Sequence, residues 1–134
     1  MKAAYFEEHG GPEVLKYGDL PDPVAGAGEV VVDIHAASVN GADWKVRAGQ
    51  YNQVKYFPYV LGRDFSGAIS AVGEGVDEFA IGDAVFGVCD VGQEGTYCEK
   101  IAMKAALVAK KPDSISHVDM AALALIGLTA VISI

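Results

Sequence analysis

The sequence predicts a mainly β domain of the barrel type, with a short helix inside it and a longer helix at its end. Glycine is abundant, with 16 glycines among 134 residues that are otherwise rich in valine, isoleucine and alanine. Apolar runs of strand length alternate with glycine or proline turns along residues 1–115. From residue 116 the pattern changes to one long apolar segment, which is typical of a helix.

The strongest predicted strand covers residues 29–39, where alternate side chains from 30 to 34 form one wholly apolar face. Pro21 and Pro23 precede it, and two prolines so close together exclude a regular ladder at that point. An aromatic loop is expected at 51–59. The other predicted strands cover residues 2–6, 14–20, 65–72, 84–88, 96–103 and 106–110.

A short helix is predicted directly after the long strand. Asn40 is suited to the N-cap, because its side chain can accept a hydrogen bond from a first-turn N–H. The helix would cover 41–48, and Gly49 is a typical residue to end it. Trp44, in the middle of this helix, is expected to pack in the core.

A second helix is predicted from about His117 to the end of the chain. Ser116 and Asp119 have the spacing of a capping box just before an apolar run. No cap, glycine or proline follows this run, and it has little polar surface. We therefore expect the helix to pack against something outside the chain, and we interpret the chain as a fragment.

The charge of the chain is acidic, with a formal net charge of −8. Lys110 and Lys111 are the only adjacent basic residues, so the basic patch of a nucleic-acid binder is missing. The most apolar stretch, 120–134, is shorter than the roughly 20 residues that a membrane span needs. The start of the chain lacks the apolar core of a signal peptide. We therefore expect a soluble, cytoplasmic protein without nucleic-acid or membrane partners.

Cysteine and histidine spacing gives no metal-binding pattern. Cys89 and Cys98 are interpreted as small apolar residues, although a disulfide between them stays possible. His9, His35 and His117 lie in different predicted elements. A dinucleotide-binding G-x-G-x-x-G fingerprint is also missing. The stretch from residue 73 to 78 begins like one but ends in glutamate, and we interpret it as a turn.

Six motifs in order resemble the medium-chain dehydrogenase/reductase superfamily. Each motif alone is weak, whereas their order and spacing match over essentially the whole chain. They are GGPEVL at 10–15, ASVNGADWKVRAG at 37–49, LGRDFSG at 61–67, GDAVFG at 82–87, GTYCE at 95–99 and AALALIGLTA at 121–130.

The resemblance implies the fold and the cofactor. Residues 1–115 would form a GroES-like twisted β-barrel that serves as the catalytic domain. Residues 116–134 would be the helix that bridges into a nucleotide-binding domain of the Rossmann type. In the family that second domain holds most of the NAD(P)H, and NADPH is the family expectation. The isolated chain is then expected to have little activity. A homo-oligomer, where one forms, would assemble through the second domain.

The resemblance also indicates the zinc-free branch of the superfamily. Zinc-dependent members place a cysteine after the first long strand and a histidine and a glutamate in a Gly-His-Glu motif. The matching positions here are Asn40, Arg63 and Asp64, of which asparagine is a poor zinc ligand and arginine cannot be one. Asp64 is expected to have a structural role. The branch implies a quinone or an α,β-unsaturated carbonyl compound as substrate, and no zinc.

Site residues follow from the same resemblance. Asn40, Lys45 and Tyr51 are the candidate catalytic residues. Asn40, Asp43 and Thr129 are the candidate cofactor-binding residues. Each also has a structural interpretation: Asn40 as a plain N-cap, Asp43 as a first-turn carboxylate favoured by the helix dipole, and Lys45 as a solvated lysine. Tyr51 could serve aromatic packing only, and Thr129 could be an ordinary helix residue.

Two other functions stay open from the sequence. The first is a free-standing GroES-like module that acts by binding or assembly and has no enzymatic activity. The second is a zinc-dependent alcohol dehydrogenase with atypical ligands. Asn40 and Arg63 argue against the second, and the uncapped apolar helix argues against the first.

Overall fold

A computed structural model of the protein describes residues 1–92 and 95–134. Its strands and helices, in chain order, are β1 (Lys2–Phe6), β2 (Lys16–Asp19), β3 (Glu29–Ala37), α1 (Gly41–Arg47), β4 (Tyr59–Val60), β5 (Asp64–Val72), β6 (Ala84–Val88), β7 (Lys100–Lys104), β8 (Val108–Lys110) and α2 (His117–Ser133). Two short 3₁₀ turns add Pro12–Val14 and Ala105–Leu107. The prediction of a mainly β domain with a short helix and a terminal helix is confirmed.

The strands form two antiparallel sheets. The smaller sheet has the order β2-β1-β4, and the larger has the order β7-β3-β5-β6-β8. The described strands therefore do not close into one barrel. β3 lies inside the larger sheet, and its pairing with β5 is irregular between Ile34 and Ala36. At the end of this pairing Ala37 lies opposite Phe65, so the loop after β3 and the start of β5 are neighbours.

The core lies on one face of the larger sheet. Val30 and Val32 of the predicted apolar face are fully buried, together with Phe65, Ile69 and Val85 from the neighbouring strands. A second cluster forms between the smaller sheet and α1; its buried members are Phe6, Val46, Tyr59 and Leu61. The alternation in the sequence thus identified the residues around which the sheet packs.

Helix α1 begins where the sequence predicted and ends at Arg47, one residue before the predicted end. Asn40 is the N-cap, and Gly49 follows the helix with a φ of +81°, a conformation that favours glycine. The prediction for Trp44 is wrong, because its side chain is 48% exposed. The helix buries Asp43 and Val46 instead, and Trp44 faces outward.

Four predicted strands are shorter than expected. The segment 14–20 contains only Lys16–Asp19, and the long strand 29–39 ends at Ala37. In the segment 96–103 only the end is strand, because Tyr97 and Cys98 turn to the smaller sheet. The backbone of Tyr97 accepts a hydrogen bond from Ala4 N–H at 2.8 Å, and Cys98 forms an isolated bridge with Ala3. The start of 106–110 belongs to a 3₁₀ turn. The expected loop 51–59, in turn, ends in the short strand β4.

Helix α2 lies against β3, β5 and β6 with its first half. The Ser116 hydroxyl accepts a hydrogen bond from Asp119 N–H at 3.1 Å, which confirms the predicted cap. Met120, Ala121 and Ala124 are buried. Large apolar side chains beyond them are exposed: Ile126, Leu128, Val131, Ile132 and Ile134. Within the described part of the chain, no helix combines the length and the apolar character that crossing a membrane requires.

Candidate functional site

The start of α1 is held by a buried carboxylate. Asp43 is only 4% exposed, and it accepts hydrogen bonds from the Asn40 backbone N–H at 2.9 Å and from the Tyr97 hydroxyl at 2.6 Å. Burial and the bond to Asp43 raise the pKa of Tyr97 well above its usual value of 10. The tyrosine is therefore a neutral hydrogen-bond donor, and Asp43 joins the segment after β6 to the first turn of α1.

A second buried carboxylate lies where three elements meet. Asp64, at the start of β5, is 1% exposed. Its Oδ1 accepts from the Ser38 hydroxyl at 2.6 Å and from the Asn40 side-chain amide at 3.0 Å. Its Oδ2 accepts from the backbone N–H of Leu125 in α2 at 3.0 Å. Asp64 thus links the loop after β3, the start of β5 and the middle of α2.

The Asn40 amide engages this network with only one of its two N–H bonds. Its nitrogen lies 3.0 Å from Asp64 Oδ1 and 3.3 Å from Ser38 Oγ, and these two oxygens lie 2.6 Å apart. The triangle places both oxygens within about 50° of each other as seen from the nitrogen, whereas two amide N–H bonds diverge by about 120°. Both oxygens therefore share one N–H, and the second N–H is not used by this network.

The other candidate residues are more dispersed. Lys45 is half-buried, with its ammonium 5.7 Å from the centre of the Trp44 ring. Tyr51 is 39% exposed in the loop after α1. Among the described residues, no hydrogen bond joins either side chain to Asn40 or Asp64. The catalytic roles of Asn40, Lys45 and Tyr51 stay predictions.

Two cavities flank the Asp64 network. The first, of about 250 Å³, is lined by apolar side chains and by four polar or charged ones: Asn40, Asp43, Arg47 and Tyr97. The second, of about 560 Å³, lies between α2 and strands β6 and β8, and Thr129 lines it. The structure thus brings Asn40 and Asp43 together. Thr129 lies four residues after Leu125 on the same face of α2 and contacts the other cavity.

The residue at the position of a zinc-ligating histidine has a different role here. Arg63 lines the larger cavity and donates a hydrogen bond from Nη2 to the backbone oxygen of Cys89 at 3.0 Å. Across residues 1–92 and 95–134, no three histidine, cysteine, aspartate or glutamate side chains are placed to hold one metal ion. No disulfide joins Cys89 and Cys98.

Three contributors to this site were not identified from the sequence. Ser38 and Tyr97 were not singled out, and Asp64 was assigned only a general structural role. Ser38 lies two residues before Asn40 in one of the quoted motifs, which is a usable signal. The bond from Tyr97 to Asp43 spans 54 residues, and no local pattern indicates it.

A comparison with known families identifies the domain. The family model of the alcohol dehydrogenase GroES-like domain matches residues 26–113. The chain belongs to this family. The predicted GroES-like fold is thereby confirmed, with the strands arranged as two open sheets.

Relatives of this GroES-like domain are quinone oxidoreductases of the medium-chain dehydrogenase/reductase superfamily. The chain is 34% identical to human quinone oxidoreductase over 131 residues, which are 97% of this chain and 39% of the human protein. It is 39% identical to rat quinone oxidoreductase over 100 residues, which are 74% of this chain and 30% of the rat protein. The chain is therefore of the quinone oxidoreductase-like type.

Solved structures give the same result. The quinone oxidoreductase of Coxiella burnetii superposes with a TM-score of 0.92 at 34% identity, over 98% of this chain and 43% of that one. The Escherichia coli quinone oxidoreductase, complexed with NADPH, has a TM-score of 0.90 at 32% identity, over 96% of this chain and 39% of that one. This chain therefore spans about two fifths of the length of these relatives.

Proposed function

We propose that this chain is the substrate-side domain of an NADPH-dependent, zinc-independent reductase of quinones or α,β-unsaturated carbonyl compounds. The observation that carries the proposal is the anchored Asn40 amide, which lines a cavity and keeps one N–H outside the Asp64 network. The relatives named quinone oxidoreductase, one of them complexed with NADPH, support the reaction class.

The chemistry asked of this domain is the stabilisation of negative charge. Bound NADPH supplies a hydride to such a reaction, and the acceptor also takes up a proton from solvent or a side chain. Charge builds on the acceptor oxygen as the hydride is transferred. A preorganised donor such as the second N–H of Asn40 stabilises that charge, because its orientation is already set by Asp64 and Ser38.

Cofactor contact from this chain is proposed at Asn40 and Thr129, while a nucleotide-binding domain outside it would hold most of the NADPH. Thr129 is exposed and lines the larger cavity, so it is accessible to a ligand there. Asp43 is proposed to act on the cofactor only indirectly, because its carboxylate is buried and already accepts two hydrogen bonds.

Zinc independence is supported by the donor set. Asn40 and Arg63 stand where zinc-dependent members of the family place ligands. Arg63 binds a backbone oxygen, and the Asn40 amide is committed to Asp64. Catalytic zinc requires three strong ligands and an open fourth position. We further propose a cytoplasmic protein, in which any homo-oligomer would assemble through the part of the enzyme outside this chain.

The test uses the complete protein encoded by the parent reading frame. NADPH oxidation is measured with a quinone and with an enone. Asn40→Ala is expected to lower kcat by about tenfold or more, since removal of one preorganised donor typically costs that much. Asn52→Ala, in the exposed loop after α1, is the matched control and should leave kcat unchanged. Unchanged turnover in a folded Asn40→Ala variant would exclude Asn40 as the donor.

The zinc content of the purified protein and the length of its reading frame test the other two functions. Stoichiometric zinc in the purified protein would overturn zinc independence and favour the alcohol dehydrogenase. A reading frame that stops at Ile134 would favour a binding or assembly module. In that case the exposed apolar side chains of α2 would require a partner, and the search for activity would be replaced by a search for that partner.

A further inference from the structure

The two carboxylate oxygens of Asp64 serve different elements. Oδ1 accepts from Ser38 and Asn40 in the loop after β3, and Oδ2 accepts from Leu125 in α2. All these hydrogen-bond donors are neutral, and the group is 1% exposed. A buried carboxylate is costly unless it is fully hydrogen-bonded, so this set of donors is held firmly in place.

The carboxylate decides which way the Asn40 amide faces. The nitrogen of the Asn40 amide, and not its oxygen, lies toward Asp64, because it donates to the Oδ1 of Asp64 at 3.0 Å. The Ser38 hydroxyl donates its proton to Asp64 and therefore meets Asn40 as an acceptor. Both neighbours thus select the same orientation. One N–H points into the network, and the second N–H and the carbonyl oxygen point away from it.

The same carboxylate ties this orientation to α2. Leu125 lies one helical turn before Thr129 on the same face of α2. The hydrogen bond from the Leu125 N–H to Asp64 therefore fixes the position of this part of α2 along the helix axis. A shift of α2 along its axis would move Asp64 Oδ2 or break its bond, and Oδ1 would move with it. Asn40 and Thr129 line different cavities, and Asp64 therefore fixes their positions relative to each other.

We propose that Asp64 is a positioning residue that aims the Asn40 amide and couples its direction to helix α2. The positioning itself stands on the hydrogen bonds of this chain alone. Its consequence for turnover rests on the proposed function.

The first experiment is performed on the 134-residue chain by NMR spectroscopy. A side-chain N–H proton that is bound to a carboxylate has a different chemical shift from the unbound proton of the same amide. The chemical shifts of the two Asn40 side-chain protons should therefore be widely separated. Asn52 is exposed and gives the reference separation within the same spectrum. Asp64→Asn should reduce the Asn40 separation to that of Asn52, and should shift the Leu125 backbone N–H at the same time.

Ser66→Ala is the matched control for general loosening of α2. Ser66 is a buried β5 residue, and it contacts α2 through His117 without touching Asn40. This variant should leave the Asn40 separation unchanged. An unchanged Asn40 separation in folded Asp64→Asn would overturn the proposal. Should Asp64→Asn fail to fold, Ser38→Ala replaces it, because this variant keeps the bond between Asn40 and Asp64. A retained wide Asn40 separation supports the proposal, and a separation reduced to that of Asn52 would assign the orientation to Ser38 and overturn it.

The second experiment tests the consequence in the longer protein. Asp64→Asn should lower kcat by about tenfold, with a smaller effect on KM, as expected when a transition-state donor is misdirected. In a protein that already carries Asn40→Ala, Asp64→Asn should lower kcat little further, because the amide that Asp64 positions is absent. Additive effects would show that Asp64 acts by another route. If Asp64→Asn leaves the Asn40 proton separation unchanged, Asp64 does not position the amide. If the separation changes but kcat does not, the proposed function is contradicted.

Discussion

The Tyr97 hydroxyl donates a 2.6 Å hydrogen bond to the Asp43 carboxylate across a separation of 54 residues. Together with the Asn40 N–H, it satisfies a carboxylate that is 4% exposed at the start of α1. The helix that Asn40 caps is therefore positioned by a segment that follows β6, and not by its own cap alone. Removal of this one hydroxyl should weaken the contact between the start of α1 and the segment that follows β6.

Tyr97→Phe should lower the free energy of unfolding by about 1–3 kcal/mol, because it leaves a buried acceptor with one donor fewer while it keeps the ring. The measurement is equilibrium urea unfolding of the 134-residue chain. Tyr17→Phe is the control, since Tyr17 is 76% exposed and should change stability little. Equal effects of the two substitutions would contradict the importance of the Asp43 contact.

Local patterns predicted those parts of the fold that local chemistry decides. Strands 2–6 and 84–88 have the predicted boundaries. Turn residues at 9–12 follow the first strand, and the turn residues Gly82 and Asp83 precede the second. Segment 96–103 was misjudged, since Tyr97 exchanges backbone hydrogen bonds with the smaller sheet before the chain joins β3. Such a change of partner depends on the packing of two sheets and leaves no periodic signal.

The candidate site shows the same division. Asn40 was recognisable as an N-cap, but the pairing of its amide with Asp64 depends on the β3–β5 register, which brings residues 24 positions apart into contact. The link to Leu125 depends further on how α2 docks on the sheet. The sequence therefore predicted the candidate polar residues of the site, whereas the tertiary contacts determine the orientation of their side chains.

The stability of the chain should depend on pH through His117. The Ser66 hydroxyl donates to the Val85 backbone oxygen at 3.1 Å, so it accepts from His117 Nδ1–H at 2.7 Å. Burial, followed by electrostatic interaction with His35 and Lys111, lowers the pKa of His117 below its ordinary value of 6.5. Between the lowered value and 6.5 the unfolded state binds more protons than the folded state.

It follows that the free energy of unfolding should fall as the pH is lowered through this window. Urea unfolding at about pH 7.5 and about pH 5.5 measures the decline. His117→Gln keeps a side-chain donor for Ser66 but cannot titrate, so its decline should be shallower than that of the original chain. Equal declines would show that other groups cause the pH dependence.

Gly67 should tolerate no side chain. It lies opposite Ile34 where the β3–β5 register shifts, and a Cβ there would lie 2.0 Å from the Asp33 backbone oxygen. Gly67→Ala should therefore cost about 3 kcal/mol or more, since backbone must move to admit the methyl group. Gly127→Ala is the opposite control: its Cβ would meet nothing within 4 Å, and alanine should stabilise α2 by about 0.5–1 kcal/mol. A stable Gly67→Ala variant would contradict the close approach of the strands.

The Cys98 thiol should be unreactive in the folded chain. Its sulfur lies 2.9 Å from the backbone oxygen of Gly95 and 3.0 Å from that of Lys100, and its single S–H is shared between them. Burial raises its pKa from 9.0 to about 11. The thiolate fraction near neutral pH is then about 100-fold lower than that of an unperturbed thiol, and alkylation should slow accordingly. Mass spectrometry after iodoacetamide treatment, with and without urea, measures the rate at this site. Alkylation of the folded chain at the rate seen in urea would show that the thiol is accessible and its pKa is not raised.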